Sequence, residues 1–138
     1  MQVYLALGSN LGDREAALVE AKDLLMKNGV MVVLQSSVLE TAPLGGADQP
    51  DYLNQVLECE TELGAQELLK VCQEVEVEMG RDMKEKGGGE SRVIDIDILF
   101  YGDERVVLPG LTIPHPGVRD REFWIAGLKE LGCVKIDA

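Results

Sequence analysis

The chain has 138 residues, a formal net charge of -12 at pH 7, and a composition that is 46% hydrophobic and 28% charged. This length is that of one domain, so we expect a single domain over residues 1–138. The acidic charge argues against nucleic acid and anionic membranes as partners, because both would be repelled. No apolar run approaches the ~20 residues that cross a bilayer, and the first residues form a strand pattern without a basic leader, which indicates a cytoplasmic protein. The 3 cysteines have no C-x-x-C spacing, which argues against a disulfide framework or a zinc site.

The first part of the chain alternates strand and helix patterns. Alternating apolar residues predict a strand over Gln2–Ser9. Apolar positions at helical spacing predict a helix over residues 14–28, and the β-branched run at residues 30–38 predicts a second strand. The turn at residues 8–13 lacks the lysine and hydroxyl of a P-loop, so a structural turn is favoured over a phosphate-binding loop.

A long segment without periodicity follows at residues 40–51 and is rich in proline and glycine. A loop of this length in a small domain is more often functional than decorative. Residues 52–62 alternate again and predict a third strand, at whose start Tyr52 and Asn54 share one face. An aromatic ring beside an amide suits a flat heterocycle, although ordinary packing also explains the pair.

The middle of the chain predicts a second helix over residues 65–79. Gln73 and Glu76 lie one turn apart on a helix face that usually belongs to solvent. Residues 81–90 combine basic side chains with three consecutive glycines and predict a mobile segment that leads into the next strand.

The strand predicted over residues 91–100 carries paired charge. Asp95 and Asp97 point to one face, while Ile94, Ile96 and Ile98 point to the other. Same-face neighbours on a strand are roughly 6 to 7 Å apart, a spacing that suits hard cations such as a pair of magnesium ions. An ordinary strand with one solvated face is the alternative.

The last part of the chain predicts a short edge strand at residues 105–108 and a rigid extended loop at residues 111–116, which holds His115 between two prolines. A final helix is predicted over residues 119–131. The order β-α-β-β-α-β with an appended strand and helix predicts an α+β, ferredoxin-like fold, with an antiparallel sheet and two helices on one face. A distorted α/β sheet is disfavoured, because the second and third strands follow one another without a helix between them.

Four motifs occur in order along the chain. They are Leu7-Gly8-Ser9-Asn10-Leu11-Gly12, Thr41-Ala42-Pro43-Leu44-Gly45 with Gln49-Pro50-Asp51-Tyr52-Leu53-Asn54, Arg92-x-x-Asp95-x-Asp97-Ile98-Leu99, and Ile113-Pro114-His115-Pro116. Together they closely resemble the 6-hydroxymethyl-7,8-dihydropterin pyrophosphokinases of the folate pathway, over nearly the whole chain. The resemblance implies an enzyme that transfers pyrophosphate from ATP to the hydroxymethyl group of the dihydropterin, giving AMP and the pterin diphosphate ester.

The resemblance also implies roles for individual residues. Asp95 and Asp97 would hold two Mg²⁺ ions and act in catalysis together with Arg81 and Arg92. The pterin pocket would be formed by Thr41, Leu44, Tyr52, Asn54 and Phe123. The ATP site would be formed by Gln73, Glu76, Arg81, Arg92, Ile98, Thr112, His115 and Arg121. The implied partners are ATP and the dihydropterin, with no nucleic acid and no membrane, and the implied state is a monomer.

The departures from the family pattern lie mainly around the mobile segment. Gly87, Gly88 and Gly89 stand where the family usually has a tryptophan-containing sequence, and Met83 and Gly110 stand where arginines are common. The altered mobile segment supports one rival function, a ferredoxin-like binding module without turnover. The acidic charge supports another, a metal-buffering or regulatory domain, which does not account for residues 41–54.

Overall fold

The computed structural model describes residues 1–42, 50–80 and 93–135. The elements in chain order are β1 (Gln2–Ser9), α1 (Arg14–Lys27), β2 (Val30–Gln35), β3 (Leu39–Thr41), β4 (Tyr52–Thr61), α2 (Ala65–Glu78), β5 (Asp95–Tyr101), β6 (Val106–Leu108), β7 (Leu111–Ile113) and α3 (Glu122–Glu130), with a 3-10 turn at Pro116–Arg119 before α3.

The main sheet is antiparallel and has the strand order β2-β4-β1-β5, with β3 also paired to β4. Strand β1 lies inside the sheet, between β4 and β5. Strands β6 and β7 form a separate antiparallel pair. This topology confirms the predicted ferredoxin-like arrangement and excludes the alternative of a distorted α/β sheet.

Helices cover both faces of the sheet. On one face, Val3, Leu5 and Leu7 of β1 pack with buried residues of α1 and α2. On the other face, Tyr4 and Ala6 of β1 pack with buried residues of α3. The appended third helix therefore explains why β1 is buried on both sides, and the prediction of two helices on one face holds for α1 and α2.

Close packing of α3 on the sheet depends on Gly127. A Cβ atom at this position would lie 2.5 Å from Cγ2 of Val56 on β4. A side chain here would push the helix away, so glycine sets the distance between α3 and the sheet.

Four segments differ from the prediction. Strand β2 ends at Gln35, because the next residue, Ser36, uses its hydroxyl to accept a hydrogen bond from the backbone N–H of Val56 (2.9 Å). The chain then pairs again as β3 (Leu39–Thr41), which overlaps the start of the segment predicted to be a loop, residues 40–51. Residues 111–113, also predicted to be extended loop, pair with β6. Helix α3 begins at Glu122, since the residues before it form the 3-10 turn.

Strand β5 contains a β-bulge. Ile98 pairs with Leu5 and Phe100 pairs with Tyr4, so Leu99 is the extra residue. A bulge interrupts the ladder locally and re-aims the residues on either side of it. As a result, Asp97 and Phe100 lie on the same face of the sheet although two residues separate them.

In the described part of the chain, no helix is long and apolar enough to cross a membrane.

Candidate active site

The two aspartates lie on the face of the sheet that α3 covers. In the β1–β5 ladder, Asp95 is opposite Gly8 and Asp97 is opposite Ala6. Ala6 belongs to the core beneath α3, and residues opposite each other in a ladder share a face. Both aspartates are only partly buried, whereas the next residues of β5 are buried. The structure thus confirms the prediction that these carboxylates share a face. They lie at the beginning of β5, where the strand is less buried than at its other end.

His115 lies next to Asp97 and is hydrogen-bonded to the extra residue of the bulge, Leu99. The backbone N–H of His115 donates to the carbonyl oxygen of Leu99 at 3.0 Å, which fixes the loop to β5. The His115 Nε2 atom is then 3.8 Å from Oδ1 of Asp97. The Nδ1 atom accepts a hydrogen bond from the backbone N–H of Gly117 at 2.9 Å, so a neutral ring carries its proton on Nε2. Burial, and secondly the charge of Arg121, lower the pKa of His115, which favours this neutral form.

Arg121 is held in place by an aromatic ring. Its guanidinium carbon is 4.2 Å from the centroid of Trp124, a cation–π distance, and the Trp124 ring contacts the His115 ring edge-on at 4.7 Å. A Cβ atom on Gly117 would lie 2.7 Å from Cζ3 of Trp124 and 2.9 Å from Nε of Arg121. The absence of a side chain at Gly117 therefore permits this arrangement.

A cleft of about 280 Å³ opens beside β5, which is the last strand of the main sheet. Its lining consists of Leu69, Ile96, Asp97, Ile98, Gly110, Leu111, Thr112, His115 and Pro116. Aliphatic side chains are thus combined with a carboxylate, a hydroxyl and an imidazole, as in sites for ligands that are part flat and part charged. Three residues predicted for the ATP site, Ile98, Thr112 and His115, are among these lining residues. Gln73 and Arg121 are not, and Gln73 is exposed on α2.

Glu76 corrects the prediction of a solvated helix face. It is 6% exposed, and its Oε2 atom accepts a hydrogen bond from the backbone N–H of Ile96 at 2.8 Å. Ile96 stands between the two aspartates, on an edge strand that needs acceptors for its outer backbone groups. The helical period cannot predict this contact, because the need for an acceptor arises in a strand about 20 residues later.

A second cluster lies on the same face of the sheet as the aspartates, on the other side of β1. The side chains of Tyr52 and Asn54 contact the position that a Cβ atom of Gly8 would occupy, at 3.4 and 3.5 Å. The amide nitrogen of Asn54 donates to the hydroxyl of Thr41 at 2.7 Å. Three of the residues predicted for the pterin pocket are therefore brought together by β3 and β4. Phe123 is half-buried and contacts the Trp124 ring edge-on at 6.0 Å.

Gly8 connects the two clusters. It pairs with Asn54 of β4 on one side and with Asp95 of β5 on the other. These three residues form one row across a single face of the sheet, so the two outer residues are roughly 10 Å apart, or two strand spacings. A heterocycle beside Asn54 would therefore have its substituents within reach of phosphates held near Asp95.

The segment between β3 and β4 is fixed at both of its ends. The guanidinium of Arg14 donates to a carboxylate oxygen of Glu40 (2.6 Å) and to the carbonyl oxygen of Asp51 (2.9 Å). The amide of Asn10 donates to the carbonyl oxygen of Pro50 at 3.1 Å. The glycine-containing turn after β1 thus contacts the start of the segment that leads into β4.

Some predicted residues lie outside the described part of the chain. These are Leu44, Arg81 and Arg92, together with the predicted mobile segment at residues 81–90. Within residues 1–42, 50–80 and 93–135, no three histidine, cysteine or acidic side chains gather as a complete metal site. Two carboxylates alone still fit a hard cation whose other ligands come from phosphate and water.

Sequence reasoning missed Gly117, Trp124 and Leu69 as parts of the site. Trp124 and Leu69 lie in stretches with helical spacing of apolar residues, a pattern that indicates packing and not a site. Gly117 gave no signal, because its importance comes from side chains that approach it only in the folded protein.

Comparisons with known proteins show the family to which the chain belongs. A family model described as 7,8-dihydro-6-hydroxymethylpterin-pyrophosphokinase (HPPK) matches residues 4–132. The chain is similar to the Bacillus subtilis protein named 2-amino-4-hydroxy-6-hydroxymethyldihydropteridine pyrophosphokinase, with 39% identity over 97% of this chain and 79% of the relative. It is similar to a protein of the same name from Haemophilus influenzae, with 42% identity over 93% of this chain and 79% of the relative.

Longer proteins contain a similar segment. The mitochondrial folate synthesis bifunctional protein of Pisum sativum is 41% identical over 99% of this chain, which spans 26% of that protein. A crystal structure of Plasmodium falciparum HPPK-DHPS shares the fold, with a TM-score of 0.64, 14% identity, and coverage of 94% of this chain and 39% of that one. Because the family model and the bacterial relatives cover nearly all of the chain, it belongs to the 7,8-dihydro-6-hydroxymethylpterin-pyrophosphokinase family.

Proposed function

We propose that the chain transfers the terminal pyrophosphate of ATP to the hydroxymethyl oxygen of 6-hydroxymethyl-7,8-dihydropterin, releasing AMP. Family membership gives a pyrophosphokinase of folate biosynthesis. The observation that supports the full reaction is the row Asn54, Gly8 and Asp95, which lies on one face of the sheet between the pterin cluster and the cleft beside β5.

Asp95 and Asp97 are the residues that would hold two Mg²⁺ ions. Bound Mg²⁺ neutralises phosphate charge and helps align the transferred group with its acceptor. On a chain with a formal charge of -12, a polyphosphate needs such local neutralisation. The carboxylates are half-exposed at the open end of β5, so ions and water can reach them.

The remaining residues of the cleft would bind the nucleotide. Ile98 and Thr112 offer an aliphatic surface and a hydroxyl to the adenosine part, and Gln73, Glu76, Arg81 and Arg92 complete our proposed ATP site. His115 in its neutral form presents the Nε2 proton toward the region of Asp97 and can donate it to a phosphate oxygen. Arg121, stacked on Trp124, presents a guanidinium with little freedom, which reduces the entropy lost on phosphate binding.

The pterin would bind over Gly8. Tyr52 and Phe123 are the aromatic surfaces for stacking, while Thr41, Leu44 and Asn54 complete the pocket. Catalysis would come mainly from placement of the two substrates, since phosphoryl-type transfer requires little covalent participation by the protein. That the enzyme is a cytoplasmic monomer stays a prediction from the sequence.

AMP release from ATP tests this function directly. Purified protein is incubated with ATP and Mg²⁺, with and without the dihydropterin, and AMP and pterin diphosphate are measured. We expect AMP to form only with the pterin and in equal amount to the diphosphate ester. A non-catalytic binding module would produce no AMP, and a simple ATP hydrolase would produce nucleotide products without the pterin.

A pair of variants tests the metal site. Asp97→Asn should abolish turnover, because it removes a ligand charge, while its melting temperature stays near that of the native chain. Asp103→Asn is the matched control, since Asp103 is exposed in the turn after β5 and pairs with Lys135. If Asp97→Asn retains a near-normal rate at ordinary Mg²⁺ concentrations, the assignment of the metal site is wrong.

A further inference from the structure

The amide of Asn54 is held in one orientation by two acceptors. Its side chain is nearly buried, at 8% exposure of the residue. The Nδ2 atom donates to Oγ1 of Thr41 at 2.7 Å and to the carbonyl oxygen of Leu39 at 3.2 Å. A carbonyl can only accept, so the atom facing Leu39 must be the nitrogen. Both amide hydrogens are therefore used within the protein.

The oxygen of the same amide lies beside Gly8 and the ring of Tyr52. Oδ1 of Asn54 lies 3.5 Å from where a Cβ atom of Gly8 would stand, next to the ring of Tyr52 at 3.4 Å from that point. Among the described residues, none donates a hydrogen bond to this oxygen. A partly enclosed acceptor beside an aromatic ring favours a ligand with an N–H group at that edge, since an unmatched buried polar atom is costly.

We propose that Thr41 is a positioning residue that fixes Asn54 as a hydrogen-bond acceptor, so that the pocket selects heterocycles with an amine donor at the edge facing Asn54. The proposal rests on the proposed function, in which this pocket holds the pterin. It assigns the side chain of Thr41 a role through Asn54 and not through direct contact with the ring. The relevant edge of a pterin is the one that carries the 2-amino group.

Removal of the Thr41 hydroxyl should loosen the amide. In Thr41→Val the shape is nearly preserved, but Nδ2 loses its shorter hydrogen bond and only the Leu39 carbonyl still opposes rotation of the amide. A rotated amide would present its NH₂ group to the ligand and would no longer match an amine donor. Thr41→Ser retains the hydroxyl and should restore the native orientation.

Binding of 6-hydroxymethylpterin and of Mg²⁺-ATP is measured separately by calorimetry for the native chain and the variants. We expect Thr41→Val to weaken pterin binding about five- to tenfold, the value of one hydrogen bond, with ATP binding changed less than twofold. Thr41→Ser should bind the pterin like the native chain. Leu39→Ala is the matched control on β3, because it changes an exposed side chain and keeps the carbonyl that accepts from Asn54.

Selectivity gives a readout that a general loss of structure would not move. The matched lumazine has an oxo group where the pterin has its 2-amino group, so it offers an acceptor in place of a donor. The native chain should prefer the pterin, and Thr41→Val should reduce the ratio of the two affinities by at least threefold. An unchanged ratio in Thr41→Val, or equal weakening in Thr41→Val and Thr41→Ser, would overturn the proposal.

The outcomes separate this proposal from the proposed function. If the native chain binds the pterin and turns it over while Thr41→Val behaves like the native chain, only the positioning role fails. If the native chain does not bind the pterin at all, the proposed function and the positioning role fail together.

Discussion

Gly117 is the position where the smallest substitution should have a large effect on the site. In Gly117→Ala, the new methyl carbon would stand 2.7 Å from Cζ3 of Trp124 and 2.9 Å from Nε of Arg121. Normal contacts between carbon atoms are about 3.5 to 4.0 Å. The Trp124 ring has little room to yield, because it is 3% exposed and packs against His115. The arginine side chain is the flexible partner and should move first.

The size of the effect follows from three contributions. Overpacking in a filled interior costs about 1 to 3 kcal/mol. Displacement of Arg121 from the ring loses about 0.5 to 1 kcal/mol of cation–π energy. Alanine restricts the unfolded chain more than glycine does, which stabilises the folded state by about 0.4 to 1 kcal/mol. We therefore expect a net loss of about 2 kcal/mol in the free energy of unfolding.

The functional effect should be larger for the nucleotide than for the pterin. The backbone N–H of Gly117 orients His115, and the displaced guanidinium is that of Arg121, both of which belong to the proposed ATP site. We expect the Michaelis constant for ATP to rise about tenfold, the factor that 1.4 kcal/mol represents. The Michaelis constant for the pterin should change less than threefold.

A double-mutant cycle with Trp124→Phe identifies the cause. Phenylalanine lacks the atom that the methyl group would strike, so Gly117→Ala should be much less harmful in that background. Urea unfolding and steady-state kinetics are measured for the four proteins. Two results would refute this explanation. One is a Gly117→Ala protein with the native urea midpoint and an unchanged Michaelis constant for ATP, and the other is additivity of the two substitutions in the free energy of unfolding.

Two further predictions concern the packing of α3 and the response to alkaline pH. Gly127→Ala should lower the free energy of unfolding by about 1 kcal/mol, because a clash of about 2 kcal/mol with Val56 exceeds the helix propensity gained. Val56→Ala should relieve part of the clash, since it removes Cγ2 and keeps Cβ, and a stability of Gly127→Ala equal to or above the native value in urea would contradict this. Burial, and secondly the charge of Glu58, raise the pKa of Cys59 to about 12, and burial with a hydrogen bond to Glu58 raises the pKa of Tyr4. In the unfolded chain such groups titrate near about 8.5 and 10, so the unfolded state loses protons first and stability should fall as the pH rises above about 8.5. Urea midpoints at pH 7, 9 and 10.5 test this, and a smaller decline is expected for Tyr4→Phe, whereas a midpoint independent of pH would refute it.

The elements with a strong period were predictable from the sequence. β1, α1, β4 and α2 were placed within one or two residues, since their apolar residues repeat at intervals that match a strand or a helix. The shared face of Asp95 and Asp97 follows from the same geometry. The four motifs then indicated the family, which the comparisons confirm.

The features that were missed depend on contacts between distant residues. The break after β2 arises where the Ser36 hydroxyl bonds to Val56, 20 residues away. Glu76 is buried because a strand edge needs its carboxylate, and nothing in its own helix signals that need. The assignments of Leu44, Arg81 and Arg92 stay predictions from the resemblance, as they lie outside the described residues.

The extra residue in β5 restricts how the length of this strand can vary. In a regular strand, residues on one face alternate, yet Asp97 and Phe100 share a face with two residues between them. Deletion of one residue would turn either the carboxylates or the core aromatic ring to the wrong side of the sheet. It would also remove the carbonyl group that fixes His115. We therefore expect insertions and deletions among relatives to fall outside residues 95–100, and a spacing of three between an acidic and an aromatic residue marks this bulge in a bare sequence.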